Sequence, residues 1–104
     1  MMIARWQIDA RFGHKEEALK LMRKWMSEIG SQIGWKEDAT RILTGSIGAR
    51  ESLIETEVQI GGLDELEAAW AKLAKIAAHQ KWGKDLEPLI VSGTPRWEIF
   101  RVVE

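Results

Sequence analysis

Apolar and polar residues alternate along two stretches of the chain, as they do in a half-buried β-strand. The first is Ile3–Ala10 and the second is Leu53–Ile60. A β-branched stretch over Thr40–Ile47 precedes the second, and Gly48–Glu51 separates the two. This order predicts an antiparallel hairpin with a loop of about four residues. A last segment rich in β-formers, Arg96–Val103, predicts a fourth strand.

The segment after the first strand has apolar residues at offsets of three and four, which predicts an amphipathic helix. Gly30 and Gly34 are suited to end it. Its apolar positions are Ala18, Leu21, Met22, Trp25, Met26, Ile29 and Ile33.

A second helical pattern follows the hairpin. Asp64 precedes Glu67 by three positions, a relative of the capping box that predicts the helix start at Asp64. His79 falls out of phase with the apolar positions before it, so we expect a break over Ala77–His79. A short third helix should then run to Glu87–Pro88.

The predicted order of strand, helix, two strands, helix and strand is that of the ferredoxin-like α+β fold, with a four-stranded antiparallel sheet. Helices cover only one face of such a sheet, and the other face must meet water or another protein. Because the last strand carries large apolar residues on both sides, we expect a homodimer that packs sheet against sheet. The alternative is a monomer with a solvated polar face.

The amino-acid composition limits the classes of partner that the protein is expected to bind. The 104 residues, expected to form one domain over 1–104, include 15 basic and 16 acidic side chains. This balance does not favour nucleic acid or an anionic membrane as a partner. The chain has no cysteine, which excludes disulfides, a thiolate nucleophile and a Cys-type zinc site; two histidines alone are too few for a metal site. No signal peptide or membrane span is predicted, and the expected location is the cytoplasm.

Three features resemble a known family: the element order, the Trp70 helix continuing into Ala78–Trp82, and the terminal segment Ser92–Val102. Together they resemble the dimeric α/β-barrel superfamily, in particular its NIPSNAP-like branch. The resemblance implies a homodimeric α/β barrel, distantly related to antibiotic-biosynthesis and heme-degrading monooxygenases. It also implies cofactor-free oxygenation, cyclisation or lyase chemistry on a hydrophobic, aromatic compound.

His79 is the candidate catalytic residue, because a neutral imidazole can act as a general base or bind heme iron. Heme-degrading relatives combine a helix histidine with an earlier tryptophan and an asparagine on the first strand. His79 and Trp70 resemble the first two, but Trp6 and Gln7 stand where the asparagine would be. We therefore expect no cofactor and keep heme as an alternative. A purely structural role, such as a hydrogen bond to a backbone carbonyl, is also open for His79.

Six tryptophans are available to line a pocket. We expect Trp6, Trp70 and Trp82 to bound it beside His79, since flat apolar walls suit a planar ligand. Core packing is the alternative for Trp70 and for Trp25. A non-catalytic dimeric binding or stress-associated protein, whose cavity is filled by side chains, is the alternative function.

Charged residues on the second sheet face form a separate group. Glu55 and Glu57 are neighbours on one strand face, with Arg5, Arg41 and Arg101 as possible partners across strands or across subunits. Paired carboxylates can divide acid and base work. Ion pairs that fix the register of the dimer are the stronger interpretation. No metal ligands are expected among them.

Overall fold

The computed structural model describes residues 1–104 and contains four strands and three α-helices. The strands are β1 (Met2–Asp9), β2 (Thr40–Thr44), β3 (Leu53–Ile60) and β4 (Arg96–Arg101). The helices are α1 (Lys15–Glu28), α2 (Leu63–Leu73) and α3 (Ala77–Leu86). Single 3₁₀ turns occupy Gly30–Ile33, Glu37–Ala39 and Glu87–Leu89.

The strands form one antiparallel sheet in the order β2-β3-β1-β4. This is the ferredoxin-like α+β fold that the sequence predicts. The two strands with the clearest alternation, β1 and β3, are the two central ones, and Trp6 pairs with Thr56 on β3 and with Trp97 on β4. Each of these pairs lies on one face of the sheet, because directly opposed residues in a ladder share a face.

The helices cover the face that the alternation predicts. Ala4, Ile8, Ile54 and Val58 are almost fully buried against them. They belong to one cluster of 18 buried apolar residues, to which α1 contributes Met22 and Trp25 among others. The core therefore lies between the helices and one sheet face.

The predicted strand Thr40–Ile47 is three residues too long. It ends at Thr44, and the side chain of Ile47 is fully exposed. The physical reason is a close approach of the backbone: a Cβ atom at Gly45 would lie 1.6 Å from the carbonyl oxygen of Arg50. Only glycine fits there, and the chain turns out of the sheet at that point.

Two details of the second helical segment also differ. Helix α2 begins at Leu63, and the carboxylate of Glu65 accepts the backbone N–H of Gly61 at 2.6 Å, so the predicted pairing of Asp64 with Glu67 is wrong. The break lies between Leu73 and Ala77, a few residues earlier than predicted. It therefore puts the out-of-phase His79 in the first turn of a new helix rather than at the break.

None of the helices combines the length and the apolar character needed to cross a membrane.

Candidate functional site

A cavity of about 420 Å³ lies between the helices and the sheet. Fifteen residues line it, and all six tryptophans of the chain are among them: Trp6, Trp25, Trp35, Trp70, Trp82 and Trp97. Such a volume is within the range of small-molecule sites, roughly 300–1,000 Å³. The structure brings Trp6, Trp70, Trp82 and His79 together around this one space.

Trp82 is at the centre of the inner wall. Its ring centroid lies 6.0 Å from that of Trp6 and 6.1 Å from that of Trp25, both tilted, and the His79 ring stacks on it at 5.9 Å. The indole N–H of Trp82 donates to the carbonyl oxygen of Leu21 at 2.7 Å, which ties α3 to α1. Tilted and stacked aromatic pairs at these distances are favourable, so the wall is held in one arrangement.

His79 is held by a long-range hydrogen bond. The indole N–H of Trp25 donates to Nδ1 of His79 at 2.9 Å. An indole nitrogen is only a donor, so Nδ1 must be the unprotonated nitrogen, and the proton of the neutral imidazole belongs to Nε2. His79 borders the cavity, and its other ring nitrogen, Nε2, is therefore a hydrogen-bond donor.

Burial lowers the pKa of His79 below its ordinary value of 6.5, because desolvation disfavours the charged imidazolium. Protonation of Nδ1 would in addition break the bond from Trp25. Because its pKa is lowered, His79 is neutral at physiological pH. Glu87 is the other ionisable side chain that lines the cavity.

The lowered pKa predicts a loss of stability on acidification. The unfolded chain protonates His79 near pH 6.5, whereas the folded chain does so only at lower pH. The unfolded state thus gains protons first, and the free energy of unfolding should fall as the pH drops below about 6.5. Urea unfolding between about pH 7.5 and 5.5 measures it. The matched control is His79→Gln, whose amide oxygen can still accept from Trp25; it should remove this part of the pH dependence. An unchanged pH dependence in the variant would contradict the assignment.

Two tryptophans stand at the mouth of the cavity. Trp70 and Trp97 are 39% and 37% exposed, and their rings meet edge to face at 5.4 Å. Trp70, for which core packing was the alternative, is thus a rim residue, whereas Trp25 is 8% exposed and belongs to the core as well as to the cavity wall.

Trp35 has an unusual indole N–H. The residue is 7% exposed and borders the cavity, and its ring centroid lies 5.7 Å from that of Trp25. Its Nε1 is buried and has no hydrogen-bond partner in the protein. A buried donor without an acceptor is costly to the folded state.

Sequence reasoning did not find Trp35 or Trp97. Trp97 is brought to the cavity by its ladder pairing with Trp6, which the register of β1 and β4 decides. Trp35 follows the turn at Gly34, where φ is +82°. Glycine adopts this left-handed conformation readily, and the turn at Gly34 was the one signal that the chain reverses there.

The residues around His79 do not fit heme iron. A histidine ligates iron through an unprotonated ring nitrogen. Nδ1 is engaged by the Trp25 N–H, and that bond leaves the proton on Nε2. The asparagine of the heme-degrading pattern is absent as well, and the residue that pairs across the sheet with Gln7 is Glu55, on the face away from the cavity. No group of three or more potential metal-ligating side chains occurs in the structure.

The predicted charged group occupies the open face of the sheet. The carboxylate oxygens of Glu57 accept from Nε of Arg5, at 3.0 Å, and from Nε of Arg41. Glu55 accepts from Nε2 of Gln7 at 2.6 Å. Glu55 and Glu57 are only 6% and 5% exposed. Burial by itself raises the pKa of Glu57, but the hydrogen bonds and charges of Arg41 and Arg5 outweigh it and lower the pKa.

This group lies away from the cavity, so an acid–base role for the two carboxylates does not fit. Gln7 extends it by donating to Glu98 at 2.8 Å, and Arg96 pairs with Glu98 at 3.0 Å. The expectation that Arg101 joins it is wrong. Arg101 pairs across the ladder with Met2, which places it on the helix-facing side, and its side chain is exposed.

No protein-family model and no curated protein matches the sequence. Solved structures do. A NIPSNAP family protein from Agrobacterium tumefaciens superposes with a TM-score of 0.78 at 24% identity, over 100% of this chain and 95% of that one. A NIPSNAP domain protein from Burkholderia xenovorans gives 0.73 at 13% identity, over 99% and 95%. The chain has the fold of NIPSNAP proteins.

The same fold extends to an oxygenase. SnoaB from Streptomyces nogalater, a cofactor-independent oxygenase, superposes on this chain with a TM-score of 0.70 at 12% identity, over 99% of this chain and 93% of SnoaB. Structural neighbours are thus NIPSNAP proteins and oxygenases of this type, as the sequence resemblance predicts. At these identities the match establishes the fold, and activity must be argued from the site.

Proposed function

We propose that the protein binds a flat, hydrophobic, aromatic small molecule in the tryptophan-lined cavity, one per subunit. The observation that carries the proposal is the convergence of all six indoles on a single space of about 420 Å³. Ten of the fifteen lining residues are hydrophobic, and tryptophan walls favour planar rings that can stack between them. Side chains that merely filled a core would leave no such volume.

The reaction that we propose is cofactor-independent oxygenation, in which the bound compound itself donates electrons to O₂. The support is the shared fold with SnoaB together with a largely apolar cavity bordered by His79, whose Nε2 is a hydrogen-bond donor. Such a donor stabilises negative charge on a substrate oxygen.

Anthrone tests the reaction, because this flat ketone and O₂ give anthraquinone and water. Oxygen uptake should exceed the rate without protein, and anthraquinone should form in equal amount. Screening of aryl ketones and phenols by thermal shift tests binding separately, since a bound ligand stabilises the native state. Binding without oxygen uptake would favour the second candidate, a non-catalytic binding protein. That candidate is supported by the state of His79, which borders the cavity as a hydrogen-bond donor and not as a base.

We further propose that the protein is a cytoplasmic homodimer that packs through the open sheet faces. Phe100 on that face is 44% exposed and its ring lies under the guanidinium of Arg5 at 4.7 Å. Ile3 pairs with Phe100 and Leu43 with Glu55, so apolar side chains flank the charged group. The charges are matched within one subunit and need no partner charge. The cysteine-free sequence suits a reducing compartment.

Phe100→Glu should weaken this dimer at least about tenfold, because it places a new carboxylate in the proposed interface, on the same strand face as Glu98. Sedimentation velocity at micromolar concentration measures the change. Leu63→Glu, an equally drastic substitution of an exposed apolar residue on the helical layer, is the control and should leave the dimer intact. A wild-type protein that sediments as a monomer would refute the dimer.

A further inference from the structure

The cavity presents hydrogen-bond donors with few acceptors to match them. Of the six indoles, Trp25 and Trp82 donate to protein acceptors, Nδ1 of His79 and the carbonyl of Leu21. The indole N–H of Trp35 is buried and has no protein acceptor. The lining residues offer in return only the hydroxyl of Thr56 and the exposed carboxylate of Glu87 as side-chain acceptors.

His79 adds another donor, and Trp25 determines which of its nitrogens that is. Without the bond from Trp25, either nitrogen of a neutral imidazole could carry the proton. With Nδ1 accepting at 2.9 Å, only Nε2 carries it. The imidazole is further confined by stacking on Trp82 with an angle of 16° between the ring planes. Both the tautomer and the ring orientation are thus decided by residues other than His79.

We propose that Trp25 is a positioning residue that holds His79 as an Nε2–H donor, and that the ligand is an aromatic compound bearing an oxygen acceptor, such as an aryl ketone or a phenolate. This rests on the proposed function, since it specifies the ligand class of the same cavity. It assigns His79 a role opposite to that of the base suggested by the sequence. The ligand oxygen accepts from Nε2 of His79.

Two ligands that differ only in the acceptor test the proposal: 1-indanone, a flat aryl ketone, and indane, the same bicycle without the oxygen. NMR titrations of the wild-type protein should give an affinity about tenfold higher for 1-indanone. Trp25→Phe keeps an aromatic ring and removes the N–H, so the preference should fall to about threefold or less. Phe12→Leu, at an exposed aromatic residue outside the cavity, is the control and should keep the preference.

The ratio of the two affinities distinguishes a loss of His79 positioning from a general distortion of the cavity. A variant that merely distorts the cavity weakens both ligands equally and leaves the ratio unchanged, and that result for Trp25→Phe would overturn the proposal. His79→Leu should abolish the preference by removing the donor itself, which provides a second test if Trp25→Phe folds poorly.

Nitrogen-15 spectra of histidine give an independent readout of the tautomer. Long-range ¹H–¹⁵N correlations should identify wild-type His79 as the Nε2–H form, with Trp25→Phe giving a mixture of both forms; His14→Gln removes the only other histidine signal. A wild-type Nδ1–H form would refute the role of Trp25. If neither indane nor 1-indanone binds while the Nε2–H form is found, the proposed binding function and ligand class fail and the positioning of His79 by Trp25 stands.

Discussion

Replacing Trp82 with alanine should lower the free energy of unfolding by about 3–5 kcal/mol, the largest effect expected of any single substitution in the cavity wall. The residue is 8% exposed and contacts the rings of Trp6, Trp25 and His79, so its removal leaves a void among aromatic neighbours. It also leaves the carbonyl oxygen of Leu21 without its donor. Small domains have only about 5–15 kcal/mol of stability in total, so a large part would be lost. Urea unfolding followed by far-ultraviolet circular dichroism measures the change.

Two further variants distinguish the contribution of ring packing at Trp82 from that of its hydrogen bond. Trp82→Phe keeps most of the ring volume and loses the hydrogen bond, and it should cost about 1–3 kcal/mol. Trp70→Ala removes the same residue type from the rim, where 39% of it is already exposed, and should cost clearly less than Trp82→Ala. Equal losses at the two positions would mean that Trp82 does not organise the wall as described.

Gly83→Phe should reduce the affinity of a tricyclic aryl ketone such as 9-fluorenone by about tenfold or more. Gly83 borders the cavity on α3 and lies four positions after His79 and three before Leu86, on the same helix face as both. A Cβ atom at this position would have no heavy atom within 4 Å, so an added side chain extends into open space. A phenyl ring there takes up room that a flat ligand needs.

The matched control is Gly83→Ala, which adds a methyl group and no bulk. Because glycine is unfavourable inside a helix, it should stabilise the protein by about 0.5–1 kcal/mol and leave binding nearly unchanged. Isothermal titration calorimetry with both variants compares the affinities. If Gly83→Phe binds 9-fluorenone as tightly as Gly83→Ala does, the ligand is bound elsewhere.

The regular parts of the fold could be predicted from the sequence, because they depend on local periodicity. Alternation over Ile3–Ala10 and Leu53–Ile60 identified the central strands and the face that packs on the helices. The errors are at element ends. Whether the hairpin strand continues past Thr44 depends on how closely the backbone of Gly45 approaches that of Arg50. The periodicity of the sequence carries no information on this contact. The break between the second and third helices was predicted a few residues too late for a similar reason. The position of His79 outside the apolar stripe indicates that the helix axis changes, but it does not indicate at which residue.

The candidate site was predicted in part. Trp6, Trp82 and His79 were expected to converge near the predicted helix break, and the rings of Trp6 and His79 lie 6.0 and 5.9 Å from that of Trp82. The hydrogen bond that decides the chemistry of His79 was not expected, since Trp25 is 54 positions away and nothing local joins them. Arg101 was misassigned because one residue of register decides which sheet face it occupies.

The gathering of every tryptophan around one cavity also has a spectroscopic consequence. Since the chain has no tyrosine, nearly all of its intrinsic ultraviolet emission originates from the walls of this single space. A change in emission would therefore report occupancy or loosening of the cavity before it reports anything about the remote sheet face. An unfolding curve measured by tryptophan fluorescence would report the loss of the cavity. It would differ from a curve measured by circular dichroism of the backbone if the cavity opens before the secondary structure is lost.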